Sequence, residues 1–230
     1  MVSENFHKIR EKVAVICQKL GRDPDDITII GVTKTAEADQ IKEAADSGLK
    51  DIGENRVQEA QRKFPSLDQW GVKVRRHMIG HLQTNKVKQV LQYFDIIHSV
   101  DSLDLAAEIE KRSANANRVT DILVQVNTSG EEQKFGVSKD GFFKLIDEIS
   151  TLSHVHIRGL MTMAPYTEDK AWVRQTFRDL KILKDAVNVK YSEHKNIEMK
   201  YLSMGMSDDF EIALEEGSNM IRVGRAIFQG

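Results

Sequence analysis

The chain has 230 residues, 40% apolar and 30% charged, with a formal net charge of −2, an ordinary soluble balance with enough length for one large α/β domain and a substantial core. That balance argues against nucleic acid as a default partner, and the densest basic stretch, Lys73-Val74-Arg75-Arg76-His77, lacks the interleaved aromatics of a base-stacking surface. Cys17 is the only cysteine, which rules out an intrachain disulfide or cysteine-based zinc site; with no signal-peptide core and no bilayer-length apolar run, the expectation is a cytoplasmic protein without a membrane partner.

In chain order, the first element is an amphipathic helix beginning after Ser3, with Phe6, Ile9, Val13, Ile16 and Leu20 on its buried stripe and a stop at Gly21. Cys17 falls beside that stripe as inert packing. Short apolar runs then alternate with charge-rich, helix-length segments: Ile27–Val32, Asp51–Gly53, Val74–Ile79, Asp95–Val100, Ile122–Asn127, Val155–Met161, Met199–Ser203 and Met220–Gly224. Such alternation predicts parallel strands, and eight of them predict closure into a single (β/α)8 TIM barrel. No helix is expected after the last strand, so the extra N-terminal helix fills that gap in the outer ring. Without a Pro/Gly/Ser linker or repeat, residues 1–230 read as one domain. The competing fold, an open doubly wound sheet, has no G-x-G-x-x-G fingerprint behind it.

Reactive groups in such a barrel project from the carboxyl ends of the strands. Lys34 ends the first run, in Gly31-Val32-Thr33-Lys34-Thr35. An amine there, desolvated at a strand exit, suits capture of a carbonyl compound as a Schiff base; alone it is equally a solvated charge closing a strand. Gly53-Glu54-Asn55-Arg56 follows the second strand, where Asn55 is either a site residue or the cap of the next helix, and Thr84 caps the helix at Asn85. His77 and His81, with Gly80 between them at a strand exit, make a poor zinc pair. His154 and His156, with no carboxylate nearby in sequence, read as structural. No Ser-His-Asp order or paired-carboxylate spacing stands out.

After the seventh strand, Ser207 is placed to cap a helix over Asp208–Glu216, a helix N-terminus able to hold a phosphate. In the eighth, Ile221 and Val223 share one face, so Arg222 shares the other with Gly224 and points into the barrel, where it needs an acceptor; Glu198 is the structural candidate. Gly224 permits close approach of a backbone N–H to an anion. A strand-end lysine, a phosphate-shaped corner and an interior arginine together fit pyridoxal 5′-phosphate (PLP), which offers an aldehyde, a phosphate and a ring nitrogen. A class I aldolase would use the first two features and leave Arg222 without a task.

The motifs Gly31-Val32-Thr33-Lys34-Thr35, Gly53-Glu54-Asn55, His77-Met78-Ile79-Gly80-His81-Leu82-Gln83-Thr84-Asn85-Lys86, His98-Ser99-Val100-Asp101, Gln125-Val126-Asn127, Gly159-Leu160-Met161-Thr162-Met163, Leu202-Ser203-Met204-Gly205-Met206-Ser207 and Arg222-Val223-Gly224 together resemble the pyridoxal phosphate homeostasis protein family. The resemblance implies an alanine racemase N-terminal-type barrel, a fold-type III PLP protein, with the cofactor on Lys34. It also implies phosphate contacts from Ser203, Ser207 and the backbone at Gly224-Arg225, Arg222 against the pyridine nitrogen, and Asn55 and His77 lining the pocket. The loop Thr35-Ala36-Glu37 lacks a proline common in the family, Asn219 and Arg225 stand where small hydroxyl residues are common, and the ending Ile227–Gly230 is shorter than usual.

Two functions follow from the resemblance. One is a PLP carrier or buffer in vitamin B6 and amino-acid homeostasis, expected to be monomeric, to act without turnover and to serve PLP-dependent apo-enzymes. The other is a PLP-dependent amino-acid racemase-like enzyme. An arginine at the ring nitrogen leaves that nitrogen unprotonated and the ring a poor electron sink, which favours the carrier.

Overall fold

The structure, a computed structural model, describes residues 1–229. Its strands are β1 (Thr28–Val32), β2 (Asp51–Glu54), β3 (Arg75–Met78), β4 (Ile96–Val100), β5 (Thr120–Asn127), the two-residue β6 (Val137–Ser138), β7 (Val155–Met161), β8 (Ile197–Ser203) and β9 (Met220–Val223). All pair in parallel, in the order β4-β3-β2-β1-β9-β8-β7-β5-β6, and a further β4–β5 pairing closes the ring. The barrel is therefore eight-stranded, with β6 lying outside it along the end of β5. Closure settles the choice against an open sheet, and every expected strand is present within a few residues at either end.

The helices are α1 (Val2–Leu20), α2 (Ala38–Asp46), α3 (Val57–Gln69), α4 (Val87–Tyr93), α5 (Leu103–Asn115), α6 (Lys139–Ile149), α7 (Lys170–Lys190), α8 (Phe210–Glu215) and α9 (Arg225–Phe228). α1 buries Phe6, Ile9, Val13 and Cys17 and ends at Gly21 in the left-handed conformation, but Leu20 is exposed. It starts one residue earlier than expected, and the Ser3 amide donates to Glu43 Oε1 of α2 (3.0 Å). It packs against α2, α8 and α9, and Asn5 Nδ2 donates to the Ile227 carbonyl (3.3 Å). α1 thus takes the place expected of it in the outer ring, although a single helical turn, α9, does follow the last strand.

Strand alternation sorts the side chains into two layers. Ile52, Ile97, Ile122, Val124, Ile157, Leu202, Ile221 and Val223 face the helices in the main core. Ile30, Ile96, Leu123, Met161, Tyr201 and Met220 form a separate cluster inside the barrel, each aliphatic side chain worth about 1.5–3 kcal/mol over exposure. Gly159 lies at the β7–β8 irregularity with φ +153°, where a Cβ would sit 2.0 Å from the Tyr201 carbonyl oxygen.

An ionic layer floors the barrel at its amino end. Arg75 bonds the Tyr201 hydroxyl (3.0 Å) and Asp121 (3.4 Å), and His156 (3.4 Å) and Arg158 (3.7 Å) share Asp121. Glu198 pairs with Arg158 in this layer rather than with Arg222. His154 meets Glu110 (2.8 Å), so both strand-seven histidines have carboxylate partners, supplied by strands and helices remote in sequence.

Candidate functional site

The β1 face that carries Ile30 into the interior continues through Val32 to Lys34, two residues past the strand. Lys34 is exposed and takes no protein partner among the described residues. The desolvation expected at this strand exit is therefore not supplied by the protein alone. What is buried is the residue before it. The Lys63 ammonium, from α3, donates to the Thr33 carbonyl (2.6 Å) and to Glu54 Oε1 (2.7 Å), and the Thr33 hydroxyl donates to the same carboxylate oxygen (2.6 Å). Lys63 is 1% and Glu54 0% exposed. This ion pair, packed on the outer side of β1 and β2, pins the backbone from which Lys34 projects.

Arg222 enters the interior from β9, opposite Ile30 in the β1–β9 register. Only 4% exposed, it donates through Nη1 to Ser203 Oγ (2.7 Å) and through Nη2 to the Thr162 carbonyl (2.9 Å). Burial lowers its pKa to about 10, partly offset by the Asp209 carboxylate; at neutral pH it remains a cation. A guanidinium has five N–H donors, so these two bonds leave others for a ligand. Ser203 and His77 do not open onto the mouth. Ser203 is fully buried between Arg222 and His98, and His77 is fully buried lower in the barrel between His98 and Asp51.

The loops after β8 and β9 meet beside Arg222. Gly205 has φ +97°, and a Cβ there would fall 2.6 Å from Ala213 Cβ and 2.9 Å from Phe210 Cα. The Arg222 amide donates to the Gly205 carbonyl (2.9 Å), and Arg225 reaches across to Asp208 (2.7 Å). Ser207 does not cap α8. Asp209 is the N-cap residue, and its carboxylate accepts from the Met206 amide (2.5 Å). Burial raises the Asp209 pKa, against the Met206 amide and the Arg222 charge. The Ser207 hydroxyl, half-buried, is left without a protein partner among the described residues. Gly224 lies against β1, where an added Cβ would be 3.2 Å from Val32 Cβ and from its carbonyl oxygen. Asn219 faces away, accepting from the Leu202 amide (2.7 Å) and donating to the Lys200 carbonyl (2.8 Å) at the edge of β8. Its size therefore does not crowd the corner.

Asn55 is exposed at the β2 exit and does not cap α3, whose N-cap is Arg56. It lines a cleft of about 550 Å³ with Gly80, His81 and Gln83 on the outer rim of the mouth. His81 stacks on Phe135 at 3.8 Å between ring centres, so the two motif histidines diverge. Thr84 begins a 3-10 turn ahead of α4. A second cleft, of about 580 Å³, lies at the amino end beside α1. Neither cleft is lined by Lys34 or Arg222, whose chemistry belongs to the open carboxyl end. Among the described residues no cluster of three or more His, Cys, Asp or Glu is placed to hold a metal ion, and no helix is long and apolar enough to cross a membrane.

The sequence profile of the family described as alanine racemase, N-terminal domain, matches residues 5–230. The pyridoxal phosphate homeostasis protein of Aquifex aeolicus is 40% identical over 225 residues, covering 98% of this chain and 96% of that one. The chain belongs to the alanine racemase N-terminal domain family, among the pyridoxal phosphate homeostasis proteins. A crystal structure of an unknown protein from Bifidobacterium adolescentis superposes with a TM-score of 0.93 at 33% identity, over 99% of this chain and 94% of that one. PipY of Synechococcus elongatus, solved with PLP bound, superposes with a TM-score of 0.86 at 30% identity, over 99% of this chain and all of its own.

The family's cofactor can be tested against the residues present. An aldehyde needs an accessible amine, and Lys34 is exposed on the inward face of β1. A phosphate needs donors at a place that side chains leave clear. The Gly205 turn, the unpartnered Ser207 hydroxyl and the first turn of α9 provide both. A ring between the two would lie over Arg222, a buried cation with donors to spare. The donor set fits PLP.

Proposed function

We propose that this protein binds PLP at the carboxyl ends of β1, β8 and β9 and carries or buffers it for PLP-dependent apo-enzymes in the cytosol, with residues 1–230 acting as one binding unit. The observation that carries the reading is the register: β9 lies between β1 and β8, which sets Lys34, Arg222 and the Ser207 loop side by side on three successive strands. The cofactor supplies an aldehyde that condenses with an amine with loss of water, a ring nitrogen and a phosphate dianion. Lys34 Nζ serves as that amine. Thr33, held by Lys63 and Glu54, fixes the point from which it reaches.

Ser207 and the backbone at Gly224 and Arg225 hold the phosphate, and Arg222 donates to the ring nitrogen. The Arg225 side chain, engaged by Asp208, ties the two phosphate loops together. Asn55 borders the cofactor from the β2 rim. Ser203 and His77 act from below, through Arg222, rather than by touching the phosphate. A ring nitrogen facing an arginine that only donates stays unprotonated and withdraws electrons weakly, which suits storage and release of the cofactor better than turnover. The test is the absorption spectrum on adding PLP, followed by borohydride reduction and peptide mapping. A visible band should appear and be lost in Lys34→Ala, and the reduced cofactor should map to the peptide containing Lys34. Label on another lysine would refute the assignment.

A further inference from the structure

The polar groups beneath Arg222 form one continuous column across the barrel. Arg222 Nη1 is 2.7 Å from Ser203 Oγ, and Ser203 Oγ is 3.0 Å from His98 Nδ1. His98 Nε2 is 2.9 Å from His77 Nδ1, and His77 Nε2 is 2.9 Å from Asp51 Oδ1. Ser203, His98 and His77 are each 0% exposed. The column therefore crosses from β8 to β4 through the interior and descends by β3 to β2.

Its ends fix its direction, because a guanidinium only donates and a carboxylate only accepts. Arg222 donates to Ser203, the Ser203 hydroxyl to His98 Nδ1, His98 Nε2–H to His77 Nδ1, and His77 Nε2–H to Asp51. Every link is satisfied when both imidazoles are neutral with the proton on Nε2. Protonating His77 would force His98 into the other tautomer and turn its Nδ1–H toward Ser203, depriving the serine hydroxyl hydrogen of its acceptor. The surroundings favour the neutral forms. Burial lowers the pKa of both histidines, with Asp51 and Asp95 opposing it at His77 and the charges of Arg222 and Arg75 adding to it at His98. An apolar filling like the neighbouring Ile30, Ile96 and Leu123 layer would satisfy stability without any of these groups.

We propose that Asp51, His77 and His98 are positioning residues for Arg222. The column presents Ser203 Oγ to the guanidinium as an acceptor, and so fixes the plane and charge that Arg222 offers to the ring nitrogen of a bound PLP. This rests on the PLP reading above. Without the column, the guanidinium loses one of its two protein anchors and is free to turn away, and the ring nitrogen becomes able to take a proton from water.

Two measurements separate this from a purely structural role. In PLP-free protein with 15N-labelled histidine, His77 and His98 should both show a protonated Nε2 and a bare Nδ1 near neutral pH. Either residue as the other tautomer or as imidazolium overturns the column, whatever PLP does. With PLP labelled at the ring nitrogen, Ser203→Ala and His98→Leu should each bind about tenfold more weakly and shift the nitrogen resonance toward the protonated form. The double variant should be no worse than either alone, because both break the same chain. Ser203→Ala removes a single oxygen and should fold even if His98→Leu does not. An unshifted nitrogen resonance in Ser203→Ala overturns the coupling to the cofactor. Failure of the wild type to take up PLP overturns that coupling together with the function, while the histidine spectra still decide the column.

Discussion

Replacing Lys63 by methionine should be among the most destabilising single changes available near the site. Its ammonium makes three contacts: 2.7 Å to Glu54, 2.6 Å to the Thr33 carbonyl and 3.2 Å to Glu59. Glu54 is wholly buried and its second oxygen, Oε2, already has no partner. Methionine fills the volume but leaves that carboxylate with only the Thr33 hydroxyl. Removing one partner of a buried pair costs about 3–5 kcal/mol. At about 2–4 °C per kcal/mol for a chain of this size, that is a fall in Tm of roughly 6–20 °C. The double variant Lys63→Met/Glu54→Leu removes both charges, and Thr33 keeps the Gly53 carbonyl as its acceptor (3.2 Å). It should recover most of the loss, because a buried pair replaced by apolar groups is often near neutral. Urea unfolding of the wild type, both single variants and the double variant gives the coupling directly. A loss below about 1 kcal/mol in Lys63→Met would refute the reasoning, as would a double variant no more stable than that single one.

Ser207→Ala should weaken PLP binding about tenfold or more through loss of one bond to a charged group, measured by titration of the visible absorption; equal affinity would exclude a direct contact. Gly205→Ala forces a Cβ at φ +97° into Ala213 and Phe210 and should lower stability by about 1–3 kcal/mol, with PLP affinity falling alongside; an unchanged melting curve would contradict it. Acid should destabilise the protein through His77 and His98. Their pKa values are lowered on folding, so between those lowered values and the ordinary 6.5 the unfolded chain binds more protons and stability falls as pH falls. Asp209, raised above 3.8, works in the opposite sense. The urea midpoint should drop between about pH 7.5 and 5.5, and drop less in His98→Leu; identical slopes in the two proteins would count against neutral burial.

The strands were legible because each is a short apolar run bounded by turn residues, and closure was legible because strand and helix alternate without a break. The inward turn of Arg222 followed from Ile221 and Val223 alone. Other features depend on partners that sequence spacing does not reveal. His98 sits in Ile96-Ile97-His98-Ser99-Val100, every residue of which is buried; a polar side chain inside an otherwise apolar strand was the available signal. Its partner Ser203 is 105 positions away across the barrel, a distance that no local pattern spans. Lys63 occupies the buried stripe of α3 with Ala60, Phe64 and Leu67, so a charged residue at an apolar helical position marked the Glu54 pair before its partner could be named. The helix start at Ser207 failed for a local reason. Asp209 accepts from the Met206 amide and winds the segment into a turn, delaying α8 to Phe210. α9 is one turn long, too short to show a helical period.

Lys34 stands exposed while Arg222 beneath it is sealed, so the two ends of the site operate under different rate laws. Bond making and hydrolysis at an accessible lysine need no lid to move first, and an amine from another protein can compete for the same carbon. Retention then falls to the phosphate corner and the guanidinium, which hold by many weak contacts that are lost together. Such a division lets the covalent link turn over quickly while the cofactor stays seated, and it makes the rate of hand-over depend on how closely a recipient can approach the rim.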